Sequence, residues 1–210
     1  MSEILLIRHG ETDMAGTFCG YSDPELNARG WAQVRELVGL LRMEDICAVY
    51  TSDLRRAHAA ATALAEEFRV DCHVRPALRE IGFGNWEGLA WKEIEELDAI
   101  YARRWIAEYP NLPAPGGELL SAFERRVMGE LELLSSQWKI SSRSIVVVSH
   151  AGVLQSVLRR LRGYSEEEVW KLTKAYCSMV RISRDLFANK ERFALSHDLM
   201  KQSRVQGEGI

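Results

Sequence analysis

Residues 4–12 read ILLIRHGET, an unbroken apolar run that stops abruptly at an arginine, Arg8, and a histidine, His9. Four consecutive aliphatic residues without alternation are the pattern of a strand covered on both faces in a parallel sheet. Neither cation belongs in such a core. In open α/β sheets ligands gather beyond the carboxyl ends of the strands, so polar residues just past a strand end are well placed for chemistry. Gly10, next in the chain, lets the backbone turn sharply or approach a ligand closely.

The same pattern recurs further along. Residues 144–154, SIVVVSHAGVL, form a second apolar run with His150 just past its end and a helical pattern after it. Residues 48–61, AVYTSDLRRAHAAA, read as a strand ending at Thr51, with Ser52 or Asp53 as the expected N-cap and Arg55 and Arg56 in the first helical turn. Arginines there oppose the helix dipole, and together with free backbone N–H groups they suit an anion. Residues 77–89, ALREIGFGNWEGL, put Glu80 after a strand and beside a glycine-broken segment. Singly, each of these residues is an ordinary surface or loop group. Parallel strands, however, bring their carboxyl ends together in space.

Further strands are expected at residues 3–7, 47–51 and 71–75, with a pair at 179–183 and 192–196. Helical patterns lie between them. Residues 28–42 place Trp31, Val34, Leu37, Val38 and Leu41 on one face, residues 54–68 are rich in alanine, and Ser121 with Glu124 and Ser165 with Glu168 have capping-box spacing. Strands alternating with helices predict an α/β three-layer sandwich: a mostly parallel sheet, helices on both faces, closed by an antiparallel hairpin. No linker or repeat divides residues 1–210, so one domain is expected. Three of the five prolines fall in residues 109–117, a turn-prone stretch that should end a helical insertion at about 85–117.

The net charge of −3 provides no general pull toward nucleic acid or anionic membrane, so any anion must be held by a local cluster. Cys19, Cys47, Cys72 and Cys177 lie far apart, without the spacing of a zinc site or disulfide framework, which points to a reducing compartment. With no signal peptide and no membrane-spanning run, a cytoplasmic location is expected.

In this order and spacing, LIRHGET, TSDLRRA, LREIGFGNWEG and VVVSHAGVL resemble the motifs of the histidine phosphatase superfamily, the group that includes cofactor-dependent phosphoglycerate mutase. The resemblance implies that His9 is the nucleophile, that Arg8, Arg56 and His150 form a phosphate pocket, and that Glu80 is the proton donor. Arg56 takes the family position, not Arg55, because it directly precedes Ala57. The chemistry of a phosphoryl group agrees, since fixed cations aimed at its oxygens are the main catalytic device open to a site without metal. Positive neighbours keep His9 neutral, and Glu80 must begin protonated.

The chain departs from the family after RHGET. Many relatives carry an asparagine there, whereas this sequence runs Asp13, Met14, Ala15, Gly16, and Thr12 is the one residue expected to add a hydroxyl. The insertion is more compact than in the mutases, and together with GFGNWEG and GGELLSAFERRV it looks more like the monoesterase branch, which includes α-ribazole phosphatase and broad-specificity phosphatases. The expected partner is therefore a small-molecule phosphate ester, such as α-ribazole 5'-phosphate, with no cofactor and no metal. A homodimer is left open. Two alternatives stand beside a phosphomonoesterase: a mutase that returns phosphate to a second hydroxyl, and a noncatalytic phosphate sensor.

Overall fold

The computed structural model describes residues 3–138 and 143–183. Five strands, β1 (Glu3–Arg8), β2 (Ile46–Thr51), β3 (Cys72–Val74), β4 (Ser144–Ser149) and β5 (Met179–Ser183), form one sheet in the order β3-β2-β4-β1-β5. All pairings are parallel except that of β1 with β5. The first member of the expected hairpin is therefore the antiparallel edge of the sheet; its companion at 192–196 lies outside the described residues.

Alternate residues of the central strands bury opposite faces, which explains why their sequences are apolar throughout. Ile4, Leu6, Ile145 and Val147 pack with α4 (Leu120–Gln137) and α5 (Ala151–Val157) through Phe123, Val127, Leu131, Val153 and Leu154. Leu5, Ile7, Val146 and Val148 pack on the other side against α1 (Ala28–Leu41) and α2 (Arg55–Phe68). Removing that apolar surface from water is the main favourable contribution to folding, at ~25 cal/mol per Å². The result is the three-layer α/β sandwich read from the pattern.

The register sets up everything that follows. Arg8 pairs with Ser149, Thr51 pairs with Val148, and the His9 N–H donates to the Ser149 carbonyl at 2.9 Å. Thus the carboxyl ends of β1, β2 and β4 are level, and the residues just past them meet.

A smaller cluster lies beyond the sheet. Trp86, Ile94, Ala102 and Ala114 are buried against Phe18, Phe83, Trp91, Tyr101 and Trp105. Most belong to α3 (Trp91–Glu108), which kinks at Asp98, where the backbone leaves helical geometry and the carboxylate accepts the Tyr101 N–H at 2.9 Å.

Three local expectations are corrected and a fourth is met. The N-cap of α2 is Leu54, without a side-chain cap: Ser52 turns to His150, Asp53 binds Arg79, and the Arg55 N–H instead donates to Asp23 of a distant loop at 2.6 Å. Ser121 and Glu124 form no capping box, because α4 begins at Leu120, and Glu124 is buried where it accepts from Arg160 at 2.9 Å. The capping box of Ser165 and Glu168 does form, at the start of α6 (Glu166–Thr173). On α1, Val34, Leu37 and Leu41 are buried and Val38 packs beside them, whereas Trp31 is 40% exposed.

Candidate active site

Five of the residues singled out in the sequence converge at the carboxyl end of the sheet. His9 and His150 are both buried, with ring centroids 5.2 Å apart. The Nδ1 of His9 lies 2.6 Å from the carbonyl oxygen of Gly10. A carbonyl only accepts, so Nδ1 carries the proton and Nε2 carries the lone pair. That lone pair accepts the Nε–H of Arg56 at 3.2 Å.

Arg56 has no exposed surface. Its remaining donors go to backbone carbonyls of one loop: Ser22 at 2.6 Å, Gly20 at 2.7 Å and Cys19 at 3.2 Å. Arg55, one residue earlier, projects into solvent and pairs with Glu25. Neighbours in a helix point about 100° apart, so only one of the two can enter the site.

Arg8 donates to the Thr173 carbonyl at 3.0 Å and stacks on the ring of Tyr176, 4.1 Å from its centroid. Its Nε is buried without a partner. His150 shares a 2.7 Å hydrogen bond with Ser52 through Nε2, and its Nδ1 is likewise buried and unpartnered. Two buried polar groups without partners beside a cleft are costly unless something else satisfies them.

Glu80 faces the same cleft. One carboxyl oxygen accepts the N–H of Gly152 at 3.0 Å, the other its neighbour Ile81 at 2.9 Å. Only glycine permits this approach: a Cβ on residue 152 would lie 2.2 Å from the carboxyl oxygen. Arg126 of α4 holds the strand-end backbone by donating to the carbonyls of Ala77, Arg79 and Glu80 at 2.8–2.9 Å.

The electrostatics follow from this burial. Desolvation, then the charges of Arg56 and Arg8, push the His9 imidazole well below its ordinary pKa, against the opposing pull of the Gly10 carbonyl. His150 is lowered for the same first reason, helped by Arg56. Burial pushes the Glu80 carboxyl up, although two N–H groups and both arginines oppose it. Hence the histidine is a neutral base and the acid tends to keep its proton.

The cleft above these groups has a volume of about 500 Å³. Arg8, His9, Thr12 and Glu80 line its floor, and Phe18, Phe83, Trp91, Trp105, Tyr109 and Trp170 line its walls. Thr12 is buried and its hydroxyl oxygen accepts the Met14 N–H at 3.3 Å. Sequence reasoning missed Ser52, Tyr176, Arg126 and Arg159, the last of which lines the far wall. Ser52 lies within TSDLRRA and Arg126 within GGELLSAFERRV, but residue type and spacing assign neither a site role, and only contact in space reveals all four. Among the described residues, no three His, Cys, Asp or Glu side chains are grouped to hold a metal ion.

A floor of this kind defines a class of α/β proteins in which a histidine lone pair and fixed arginines await a small oxyanion. The chain belongs to the histidine phosphatase superfamily (branch 1), which it matches over residues 4–192. It is 32% identical over 170 residues to the adenosylcobalamin/alpha-ribazole phosphatase of Salmonella typhimurium, covering 79% of this chain and 82% of that protein. A bifunctional protein of Mycobacterium tuberculosis is 35% identical over 75% of this chain, which spans only 43% of that relative's length. Among solved structures, the mycobacterial glucosyl-3-phosphoglycerate phosphatase in complex with VO3 superposes with a TM-score of 0.75 at 26% identity, covering 87% of this chain and 91% of that one.

Proposed function

We propose that this domain is a metal-independent phosphomonoesterase that works through a phosphohistidine. The observation that carries the proposal is the 2.6 Å contact of His9 Nδ1 with the Gly10 carbonyl, which leaves Nε2 as a buried lone pair between arginines.

The Nε2 lone pair attacks phosphorus, forming an N–P bond as the ester P–O bond breaks. The electron pair leaves with the alkoxide, and Glu80 gives that oxygen its proton. Arg8, Arg56 and His150 meet the charge on the equatorial oxygens, where the unpartnered Arg8 Nε and His150 Nδ1 supply donors; for His150 this requires the tautomer protonated at Nδ1. Water then attacks the phosphohistidine, Glu80 takes the proton of that water, and the N–P electron pair returns to Nε2. The products are the alcohol and inorganic phosphate, with His9 and Glu80 restored. Thr12 adds its hydroxyl beside the phosphate.

The substrate is a small ester whose organic part is apolar and flat enough to lie against tryptophan and phenylalanine faces, and α-ribazole 5'-phosphate fits that description. The 85–117 segment supplies much of this wall. A reducing cytoplasm suits the thiols of Cys19, Cys72 and Cys177, and among the described residues no helix is long and apolar enough to cross a membrane.

Rapid quench with a labelled ester in excess chelator tests the proposal. Label should appear on one histidine, labile in acid and stable in base, vanish in His9→Ala, and be released as free phosphate. Label on His150 or on serine, a requirement for added metal, or transfer to a second hydroxyl without phosphate release would each reject it.

A further inference from the structure

Glu87, the acid of the GFGNWEG stretch, has no contact with the cleft, yet it is the most heavily bonded carboxylate near it. One oxygen accepts the N–H groups of Gly20 at 3.0 Å and Ser22 at 2.9 Å together with the Ser22 hydroxyl at 2.6 Å. The other accepts the N–H groups of Tyr21 at 2.8 Å and Phe83 at 2.9 Å. Burial alone would raise this carboxyl, but the hydrogen bonds from Ser22, Phe83 and Tyr21 hold it below its ordinary value, so it is an anion.

The loop that meets Glu87 with its N–H groups meets Arg56 with its carbonyls. The peptide joining Cys19 to Gly20 offers its carbonyl to Arg56 at 3.2 Å and its N–H to Glu87 at 3.0 Å. The next peptide, Gly20 to Tyr21, does the same at 2.7 Å and 2.8 Å. Two consecutive peptide dipoles thus lie between an anion and a cation, each oriented favourably toward both. Chains of hydrogen bonds of this kind polarise and strengthen one another in a low-dielectric interior. The arrangement requires residue 20 to be glycine, since a Cβ there would lie 2.1 Å from the Ile81 carbonyl and 2.5 Å from the Glu87 carboxylate.

We infer that Glu87 is a positioning residue: through the peptides of residues 19–22 its carboxylate holds the Arg56 guanidinium against Nε2 of His9. The role rests on the phosphoryl chemistry proposed above, because it gives Arg56 the fixed direction that stabilising a transferring phosphoryl group demands. It also ties the aromatic wall of the cleft to the catalytic floor, since Glu87 follows the buried Trp86 directly.

The test is made in the full chain with Glu87→Gln, which keeps the shape but turns one acceptor into a donor, alone and combined with Arg56→Ala. Two quantities are read: the rate of phosphoenzyme formation from p-nitrophenyl phosphate in a single turnover, and the titration of His9 by NMR. The charged and titratable groups around His9 are Arg8 on β1, Arg56 on α2, Glu80, His150 after β4 and Tyr176 before β5; of these, Glu87 acts on Arg56 alone. Glu87→Gln should slow phosphoenzyme formation by ~10-fold or more, within the range for a reacting group misplaced by about 1 Å. It should raise the His9 midpoint toward the ordinary histidine value. In the Arg56→Ala background it should change both by no more than ~2-fold, the limit for groups acting through one another.

Equal slowing in both backgrounds, or an unmoved His9 titration, would reduce Glu87 to a loop staple and overturn the inference. If Glu87→Gln does not fold, Ser22→Ala removes one donor to the same oxygen, and the same signs must appear at smaller size. Should the unaltered protein form no phosphoenzyme at all, the chemistry proposed above fails, while the His9 titration still decides the positioning.

Discussion

The Nε of Arg56 donates to the Nε2 of His9 across 3.2 Å, so the guanidinium occupies the lone pair that the proposed mechanism directs at phosphorus. Only a neutral imidazole can accept that bond, and the arginine therefore selects the reactive form. In the proposed reaction an arriving phosphate oxygen takes over the arginine N–H and leaves Nε2 open toward phosphorus.

Arg56→Ala should lose about 3 kcal/mol of transition-state stabilisation, the size of a comparable electrostatic deletion. Arg55→Ala removes only an exposed pair with Glu25 and should stay within about 0.5 kcal/mol. Comparison of kcat/KM for the two variants, with folding checked by thermal melting, decides the register; equal losses would refute it.

Glu80→Gln should distinguish between leaving groups. An alkoxide needs the proton that the proposed mechanism draws from Glu80, whereas a nitrophenolate departs without one. Single-turnover phosphoenzyme formation should fall by ~10²–10⁴ for an alkyl ester and much less for an aryl ester. A common factor for both would mean that Glu80 places the phosphate instead.

Phosphoenzyme formation should depend on pH in two opposed ways. His9 must be neutral, and its lowered pKa keeps it so below the ordinary value of about 6.5. Glu80 must be protonated, and its raised pKa keeps the proton above the ordinary carboxylate range. The rate should therefore fall on the acid side as His9 protonates and on the alkaline side as Glu80 ionises. In Glu80→Gln the alkaline limb for an alkyl ester should vanish while the acid limb stays; an unchanged alkaline limb would assign it to another group.

Stability should also fall in mild acid. The histidines of the unfolded chain bind protons near pH 6.5, while buried His9 and His150 resist protonation until lower pH. Below that value the unfolded state binds more protons at these two sites, so their contribution makes unfolding easier as pH drops toward the folded pKa values. Glu80 makes the opposed contribution, since its raised pKa lets the folded state hold the extra proton. Urea unfolding between pH 7 and pH 5 should show this slope, and His9→Asn should flatten it.

The α/β architecture was legible because both faces of β1 and β4 are buried, which leaves unbroken apolar runs that end at a charged residue. That Arg56 and not Arg55 faces His9 agrees with the position that the family resemblance gave it, directly before Ala57. The caps were not legible. Asp53 and Ser121 have the residue type and spacing of N-caps, but hydrogen-bonding groups take whichever partner the fold brings near. Asp53 is drawn to Arg79, and the N-terminus of α2 is served by Asp23, 32 residues earlier. Trp31 was misassigned because periodicity marks an apolar face without saying how wide the contact is.

By itself, then, the sequence determined which strands are central, where their carboxyl ends lie, and which of its cations and acids stand there. Such information is local: a run of side chains and the residue that interrupts it. Only the tertiary structure decided which nitrogen of His9 holds the lone pair, that Glu80 docks on the Gly152 N–H, and that two peptides of the 19–22 loop stand between Glu87 and Arg56. Those facts are relations between segments dozens of residues apart, set by packing and by the requirement that buried donors and acceptors find one another.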